Sequence, residues 1–258
     1  MTQEPLWRGI GVALVTFFDE DAGVAYEETA AHAARLVEAG VRAVLVAGTT
    51  GEADALDDSE RVKLVEAVRA AVDVPVIAGA SGAWVGQATE RVRAVVAAGA
   101  DAVLVAPPRR CTDPRPFYEK VAEAAGSVPV LAYHFPGVAG GEVPVELLPD
   151  LPVAGLKDSS GDVERLLREL SVWEGWTYVG SSALTASAGL LGATGALLAV
   201  ANAVPELAVA AFGSPAPPDG EAQRALLSVH LRSRSAFPRG LKELVAEHFG
   251  TPVHSRMS

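Results

Sequence analysis

The sequence is poor in sulfur, in aromatic side chains and in basic residues. Cys111 is its single cysteine, and aromatic residues make up 6% of the 258 positions. One thiol excludes an internal disulfide framework and favours a reducing compartment such as the cytoplasm. The 21 bases against 32 acids give a net charge of −11, which argues against a nucleic-acid partner. An anionic substrate would therefore need positive charge placed locally in its site.

Long apolar runs are also absent, although half of the residues are hydrophobic. No stretch of about 18 residues is free of charge, glycine and proline, so we expect no membrane span. Residues 1–5 lack the basic and apolar regions of a signal peptide. These features predict a soluble cytoplasmic protein whose length suits a single α/β barrel.

What the chain does contain is an alternation of short β-rich runs with segments of helical period. We predict strands at 12–18, 43–47, 74–79, 102–106, 128–135, 153–157, 177–180 and 195–200. We predict helices at 26–39, 59–71, 86–98, 115–125, 145–148, 162–170, 183–191 and 205–212. Eight such units are the number that closes a (β/α)8 TIM barrel. A doubly wound open sheet is the alternative, but no G-x-G-x-x-G follows the first predicted strand.

A stretch rich in glycine and proline at 213–220 separates these units from two further predicted helices, at 221–235 and 240–249. We therefore expect an α/β fold in which residues 1–212 form the (β/α)8 barrel and carry the active site. Residues 213–258 are expected to form a short C-terminal helical extension. Ser59 is the predicted N-cap of the second helix.

Lysine is scarce, and one of the four lysines stands in an unusual place. Lys63, Lys120 and Lys242 fall in predicted amphipathic helices, where an ammonium group can reach water. Lys157 instead ends the predicted strand 153–157, where burial costs several kcal/mol unless the amine is paired or neutral. A neutral lysine is a nucleophile that can form a Schiff base with a carbonyl compound.

Other reactive groups follow predicted strands, where barrel enzymes place their chemistry. Thr49 and Thr50 lie between glycines, so their loop could hold a carboxylate through backbone N–H groups and hydroxyls. Tyr133 lies in the strand before that of Lys157, and its phenol could transfer protons. A keto-acid Schiff-base mechanism requires these parts. No histidine pairs with His134 at a metal-ligand spacing, so we expect no metal.

These motifs resemble, in order and spacing, the dihydrodipicolinate synthase / N-acetylneuraminate lyase family. They are Thr-Phe-Phe at 16–18, Gly-Thr-Thr-Gly-Glu at 48–52, Tyr-x-x-Pro at 133–136 and Gly-Leu-Lys-Asp-Ser-Ser-Gly-Asp at 155–162. The resemblance covers about residues 10–205. It implies a pyruvate-dependent class I aldolase or lyase on a TIM barrel, a homo-oligomer (dimer or tetramer) that needs no cofactor.

The same resemblance assigns roles to individual residues. Lys157, Tyr133 and Thr49 are implied to be catalytic, Lys157 as the Schiff-base lysine and Tyr133 as the general acid/base. Thr49, Thr50 and Gly48 would bind the carboxylate of a small 2-keto acid. The residues implied to lie around the pyruvate methyl group are Gly180, Leu197 and Ala199.

Three positions depart from the synthases of that family. The loop after predicted strand 4 reads Pro-Pro-Arg-Arg at 107–110 where those synthases carry a proton-relay tyrosine. Val138 stands where they carry an arginine for the carboxylate of the aldehyde substrate, and His134 replaces an asparagine. Losing a charged partner for a carboxylate costs about 1.5–3 kcal/mol, which is enough to change the substrate.

We therefore expect a 2-keto-3-deoxy sugar acid as the substrate, with Arg109 or Arg110 at its far end. Arginines in such a loop more often belong to a solvated surface or a subunit contact than to a substrate site. Three other functions remain open: 4-hydroxy-tetrahydrodipicolinate synthase, a keto-deoxy sugar acid dehydratase, and a non-catalytic keto-acid-binding homologue. The C-terminal helical region is shorter than is usual in the family, which leaves the oligomeric state open.

Overall fold

The computed structural model describes residues 4–257, and eight parallel strands in that range close into a barrel. Each strand pairs with the next along the chain, and the last pairs with the first, with Leu197 opposite Gly11. The predicted α/β fold, a (β/α)8 TIM barrel followed by C-terminal helices, is confirmed.

The strands alternate with helices that cover the outside of the barrel. The strands are β1 (Gly9–Ala13), β2 (Ala43–Val46), β3 (Val76–Gly79), β4 (Ala102–Val105), β5 (Val130–His134), β6 (Gly155–Asp158), β7 (Trp176–Val179) and β8 (Gly195–Leu198). The helices are α1 (Tyr26–Glu38), α2 (Asp58–Ala71), α3 (Val85–Ala97), α4 (Arg115–Ala125), α5 (Val163–Val172), α6 (Thr185–Leu191), α7 (Pro205–Phe212), α8 (Gly220–Arg234) and α9 (Arg239–Phe249).

The apolar side chains form one layer inside the barrel and another between the strands and the helices. The alternation along each strand places Leu45, Leu131 and Leu197 in the inner layer. Below them Trp7, which precedes β1, stacks on Tyr178 with 4.0 Å between ring centroids. The interior is thus packed at the end where the strands begin, and the site lies where they end.

The first strand differs from the prediction of 12–18. The strand begins at Gly9 and ends at Ala13. The prediction missed its first residues because glycine is uncommon in strands and two of the five residues are glycines. Gly11 is needed there, since a Cβ atom would lie 2.6 Å from the Leu197 Cδ1 atom. Beyond Ala13 the chain leaves the sheet, and the Val15 N–H donates to the Asn202 Oδ1 atom at 3.0 Å.

One local prediction about helices was wrong, and another, the helix at 145–148, is present as a 3-10 helix. The N-cap of α2 is Asp57 and not Ser59, because Asp57 accepts a hydrogen bond from the Glu60 N–H while the Glu60 carboxylate accepts from the Asp57 N–H. This reciprocal capping box stabilises the helix start better than a lone hydroxyl. Between β5 and β6 the chain forms a 3-10 helix, Val145–Asp150, that contains Pro149.

The last two helices pack beside the barrel, and α9 covers the chain where it leaves β1. Leu241, Leu244 and Val245 of α9 form a buried cluster with Val15 and Phe17. Between Glu4 and Met257, no helix is long and apolar enough to cross a membrane.

Candidate active site

Lys157 lies on β6 directly opposite Tyr133 of β5, at the ends of the two strands. Its side chain is buried, with 4% of its surface exposed. The Nζ atom lies 4.8 Å from the centroid of the Tyr133 ring. Among the described residues it forms no salt bridge, and the neighbouring Asp158 accepts hydrogen bonds from Ser160 instead. The amine is therefore enclosed beside a phenol with no acid to hold it.

The alternation along β6 explains this separation. Lys157 points into the barrel, whereas Asp158 points outward toward α5, where Arg165 lies 3.8 Å from its carboxylate. Gly180, which follows β7, gives the lysine room. A Cβ atom at that position would lie 3.0 Å from the Lys157 Cε atom and 1.9 Å from the Ser159 Oγ atom. The structure thus places Gly180 against the lysine side chain.

The glycine–threonine loop lies on the other side of Tyr133. The Thr49 Oγ1 and Tyr133 Oη atoms are 3.4 Å apart, and either can donate the hydrogen bond. The loop turns through a short 3-10 helix, Thr49–Gly51, and Thr50 is buried. Thr16 fixes the loop, because its hydroxyl donates to the Gly51 carbonyl at 2.8 Å. A phenol is thereby linked to the predicted carboxylate loop on one side and faces the amine on the other.

A cavity of about 60 Å³ opens at this point of the barrel mouth. Of the predicted residues, Gly48, Thr49 and Tyr133 line it. Lys157 is not one of the lining residues, and its Nζ atom contacts the ring of Tyr133, which is. Val138, from the loop after β5, is also part of the wall. Among the lining residues that the sequence did not predict, those with functional side chains are Asp54, Arg61, Ser81, Arg91 and Met257.

Arg61 and Arg91 supply the local positive charge that an anionic substrate needs in so acidic a chain. Burial lowers the pKa of Arg61 to about 10, so its guanidinium remains charged at neutral pH. It is held by the carbonyl groups of Ala47 and Gly79 at 3.1 and 2.9 Å. Arg91 donates to the Ser81 carbonyl at 2.7 Å. Both arginines belong to helices, so only Ser81, which follows β3, could have been found by inspecting strand ends.

The remaining predicted residues lie further from the cavity. Arg109 donates to the carbonyls of Gly137 and Val138, both at 2.8 Å, and so braces the loop after β5. With Arg110 it lines a wider outer groove of about 1030 Å³ between the loops after β3 and β4. Leu197 lies deeper, in the same inner layer as Tyr133. Ala199 precedes the 3-10 helix Val200–Asn202 and packs toward α9.

A cluster of buried polar groups lies on the outer side of β5 and β6, behind the amine and the phenol. His134 accepts a hydrogen bond from the Val143 N–H through its Nδ1 atom at 3.1 Å. Burial, with a contribution from Arg165, lowers the pKa of His134 to about 4, so the ring is neutral. Glu169 is fully buried with its Oε1 atom 2.8 Å from the Arg165 Nε atom, and burial raises its pKa to about 8.

Over residues 4–257, no group of three or more histidine, cysteine, aspartate or glutamate side chains is arranged to hold a metal ion. The polar groups of the described site are the amine of Lys157, the phenol of Tyr133, the hydroxyls of Thr49 and Ser81, two guanidinium groups and the exposed carboxylate of Asp54.

Comparison with known proteins agrees with this geometry. An uncharacterised DapA-like lyase of Halobacterium salinarum is 37% identical over 244 residues, which are 90% of this chain and 80% of the relative. The 4-hydroxy-tetrahydrodipicolinate synthase of Natronomonas pharaonis is 34% identical over 220 residues, 81% of this chain and 74% of that enzyme.

Solved structures show the same fold. A putative dihydrodipicolinate synthetase from Pseudomonas aeruginosa matches with a TM-score of 0.81 and 28% identity, covering 96% of this chain and 91% of that one. YagE, a prophage protein from E. coli K12 solved in complex with pyruvate, matches with a TM-score of 0.87 and 24% identity over 97% and 92% of the two chains. The model of the dihydrodipicolinate synthetase family matches residues 6–232. The chain therefore belongs to this family, as its motifs predicted, and is a lyase of the Schiff-base-forming kind.

Proposed function

We propose that the protein cleaves a 2-keto-3-deoxy sugar acid into pyruvate and an aldehyde, as a class I aldolase with Lys157 as the nucleophile. The observation that carries the proposal is the contact between amine and phenol at the barrel mouth, 4.8 Å from Nζ to the ring centroid. Tyr133 in turn lies 3.4 Å from the Thr49 hydroxyl. No metal or cofactor is required, because the Schiff base itself accepts the electrons of the broken bond.

The proposed reaction begins when the Lys157 Nζ atom adds to the C2 carbonyl of the keto acid. Tyr133 gives a proton to the departing oxygen, water leaves, and a protonated Schiff base forms. The C3–C4 bond then breaks, its electrons pass to the nitrogen, and Tyr133 takes the proton of the C4 hydroxyl as the aldehyde leaves. The enamine is protonated at C3, and water releases pyruvate. Thr49 and Thr50 hold the carboxylate through this sequence.

The choice of a sugar acid rests on the far wall of the cavity. Val138 presents an apolar side chain there, and the guanidinium of Arg109 is engaged by two carbonyl groups. Arg61 and Arg91 also line the cavity, but the carbonyls of Ala47 and Gly79 hold Arg61, and Asp58 and the Ser81 carbonyl hold Arg91. The carboxylate of an aldehyde substrate would therefore have to compete with these groups for a guanidinium. Asp54 and Ser81 line the same cavity and can hydrogen-bond the hydroxyl groups of a sugar chain.

The test is reductive trapping. Borohydride added with pyruvate is expected to attach a three-carbon unit to the peptide that contains Lys157, as mass spectrometry would show. Lys157→Met removes the adduct, and the equally buried Lys242 serves as an internal control that stays unmodified. An adduct on another lysine, or none, would contradict the proposal. A panel of keto-deoxy sugar acids, assayed for released pyruvate, then identifies the substrate.

A second candidate is 4-hydroxy-tetrahydrodipicolinate synthase, since several relatives carry that name. Condensation of pyruvate with a carboxylate-bearing aldehyde, faster than cleavage of any sugar acid, would favour it. A dehydrated keto-deoxy acid without released pyruvate would indicate a dehydratase. Pyruvate binding with no turnover would indicate a non-catalytic homologue.

The proposal includes a cytoplasmic homo-oligomer, a dimer or tetramer. The single cysteine supports the location. Exposed apolar side chains on neighbouring helices support association, with Leu190 of α6 78% exposed and Leu231 of α8 61% exposed. Light scattering of the purified protein measures the oligomeric state, and a monomer at micromolar concentration would contradict this part of the proposal.

A further inference from the structure

The segment 254–257, which follows α9, returns to the barrel mouth and is bound beside the carboxylate loop. Glu52, the residue that ends this loop, is fully buried. Its Oε2 atom accepts hydrogen bonds from the Ser255 hydroxyl and from the N–H groups of Arg256 and Met257, at 2.9, 2.9 and 3.0 Å. One carboxylate thus holds three successive residues of the segment.

Two cations fix the segment further. Lys242 of α9 donates to the Glu52 Oε1 atom at 2.5 Å and to the His254 carbonyl at 2.7 Å. Arg256 binds both carboxylate oxygens of Glu60 on α2, at 2.7 Å each, and the Ala55 carbonyl at 2.9 Å. A bidentate pair restrains both position and orientation. The segment therefore has a defined place at the mouth.

This anchoring brings one side chain to the cavity. Met257 lines it together with Thr49, Tyr133 and Val138. The side chain remains 54% exposed, so it contributes a wall that is open to an incoming molecule. A thioether chain is flexible and apolar, and it adapts to the carbon skeleton of a ligand.

We propose that the anchored segment 254–257 holds Met257 in the wall of the substrate pocket and that Met257 is a specificity-determining residue for the part of the substrate beyond C4. The inference rests on the proposed function and adds to it a limit on chain length. The cavity is lined by apolar side chains, Met257 and Val138, and by polar ones, Asp54 and Ser81. A short sugar chain can then place its carbon skeleton against the apolar residues and its hydroxyl groups against the polar ones.

The test compares a five-carbon with a six-carbon 2-keto-3-deoxy sugar acid. Met257→Ala opens the wall and is expected to raise the ratio of kcat/KM, six-carbon over five-carbon, by about fivefold, mainly through KM. Met257→Leu, which restores the volume, should bring the ratio back toward that of the parent. Val253→Ala is the matched control, because Val253 lies in the same part of the chain and is exposed outside the cavity lining.

Arg256→Ala provides a second route, because it frees the segment from Glu60 and should shift the ratio in the same direction. Its control is Arg239→Ala, which removes an exposed pair with Glu243 on α9. Dissociation constants of the two acids, measured by calorimetry with each substitution combined with Lys157→Met so that no cleavage occurs, give a second ratio that does not depend on turnover. If Met257→Ala and Arg256→Ala leave both ratios as in the controls, the inference is wrong even where pyruvate is trapped on Lys157. Absence of trapping would instead overturn the proposed function.

Discussion

Two lysines are buried in this protein, and their surroundings differ in one decisive respect. Lys157 is 4% exposed and Lys242 is 0% exposed, and each amine lies near an aromatic ring, at 4.8 Å from the centroid of Tyr133 and 4.5 Å from that of Phe18. Lys242 also has the Glu52 carboxylate at 2.5 Å, whereas Lys157 forms no such pair within the described residues. Burial alone therefore does not distinguish a nucleophile from a structural cation.

The two buried amines differ in the group that each one contacts, and so in what each can do. Burial lowers the pKa of Lys242, and the hydrogen bond and charge of Glu52 oppose that shift. The ion pair keeps the amine bound to the carboxylate and to the His254 carbonyl. Lys157 meets a phenol that can exchange protons, and its nitrogen remains available to a carbonyl carbon.

Tyr133→Phe tests whether the phenol hydroxyl makes the difference, because it gives Lys157 the kind of ring that Lys242 has. We expect kcat for aldol cleavage to fall by about 10²–10⁴-fold, since a positioned proton donor contributes that much. The variant keeps the ring and its packing in the inner layer. Steady-state assays of pyruvate release measure the effect.

Phe18→Tyr, beside Lys242, is the matched control for this substitution. It adds a hydroxyl near the second amine and should produce no borohydride adduct there. A Tyr133→Phe enzyme with the turnover of the parent would show that another group carries the protons.

Lys242→Met tests the other half of the comparison. Removing one partner of a buried ion pair leaves the other charge uncompensated, which costs about 3–5 kcal/mol. We expect this loss in the free energy of unfolding, measured by denaturant titration, while the pyruvate adduct on Lys157 still forms. Lys120→Met, which removes only an exposed pair with Glu123, should leave the free energy of unfolding close to that of the parent. Equal stabilities of the two variants would mean that the Glu52 pair is not structural.

The comparison also shows what the sequence could predict. The strands β2 to β8 lie close to their predicted places, because each is a short apolar run bounded by turns. The prediction for β1 was displaced because Gly9 and Gly11, the second of which makes room for Leu197, are uncommon in strands. Local pattern predicts an element well when packing does not impose an unusual residue on it.

For the site, the residues at strand ends were predictable and those brought in from elsewhere were not. Lys157 and Tyr133 end adjacent strands, so the barrel rule and the motifs predicted both. Lys242 was predicted to reach water from an amphipathic helix, and this was wrong. The segment 254–257 and Glu52 cover it, and their contacts span about two hundred positions of the chain. The helical period of α9 therefore does not predict that Lys242 is buried by residues so distant in the sequence.

Glu169 is a second buried acid beside a cation, since it lies against Arg165 as Glu52 lies against Lys242. Its pKa is raised from 4.5 to about 8 by burial first and by Asp158 second, so the folded protein keeps a proton that the unfolded chain releases near pH 4.5. This group therefore stabilises the fold most at low pH, and its contribution is lost as the pH rises to about 8. His134, with its pKa lowered to about 4, acts in the opposite direction below pH 6.5. The window from about pH 6.5 to 8 thus isolates Glu169.

Glu169→Gln is expected to flatten the pH dependence of stability in this window. The parent should lose about 1 kcal/mol of unfolding free energy per pH unit there, near the limit for one proton, and the variant much less. Denaturant titrations at several pH values measure the slope, and Glu164→Gln, an exposed acid on the same helix, should keep the parent slope. A variant as steep as the parent would place the proton elsewhere. A flatter variant would show that Glu169 of the Arg165–Glu169 pair is protonated at pH 7.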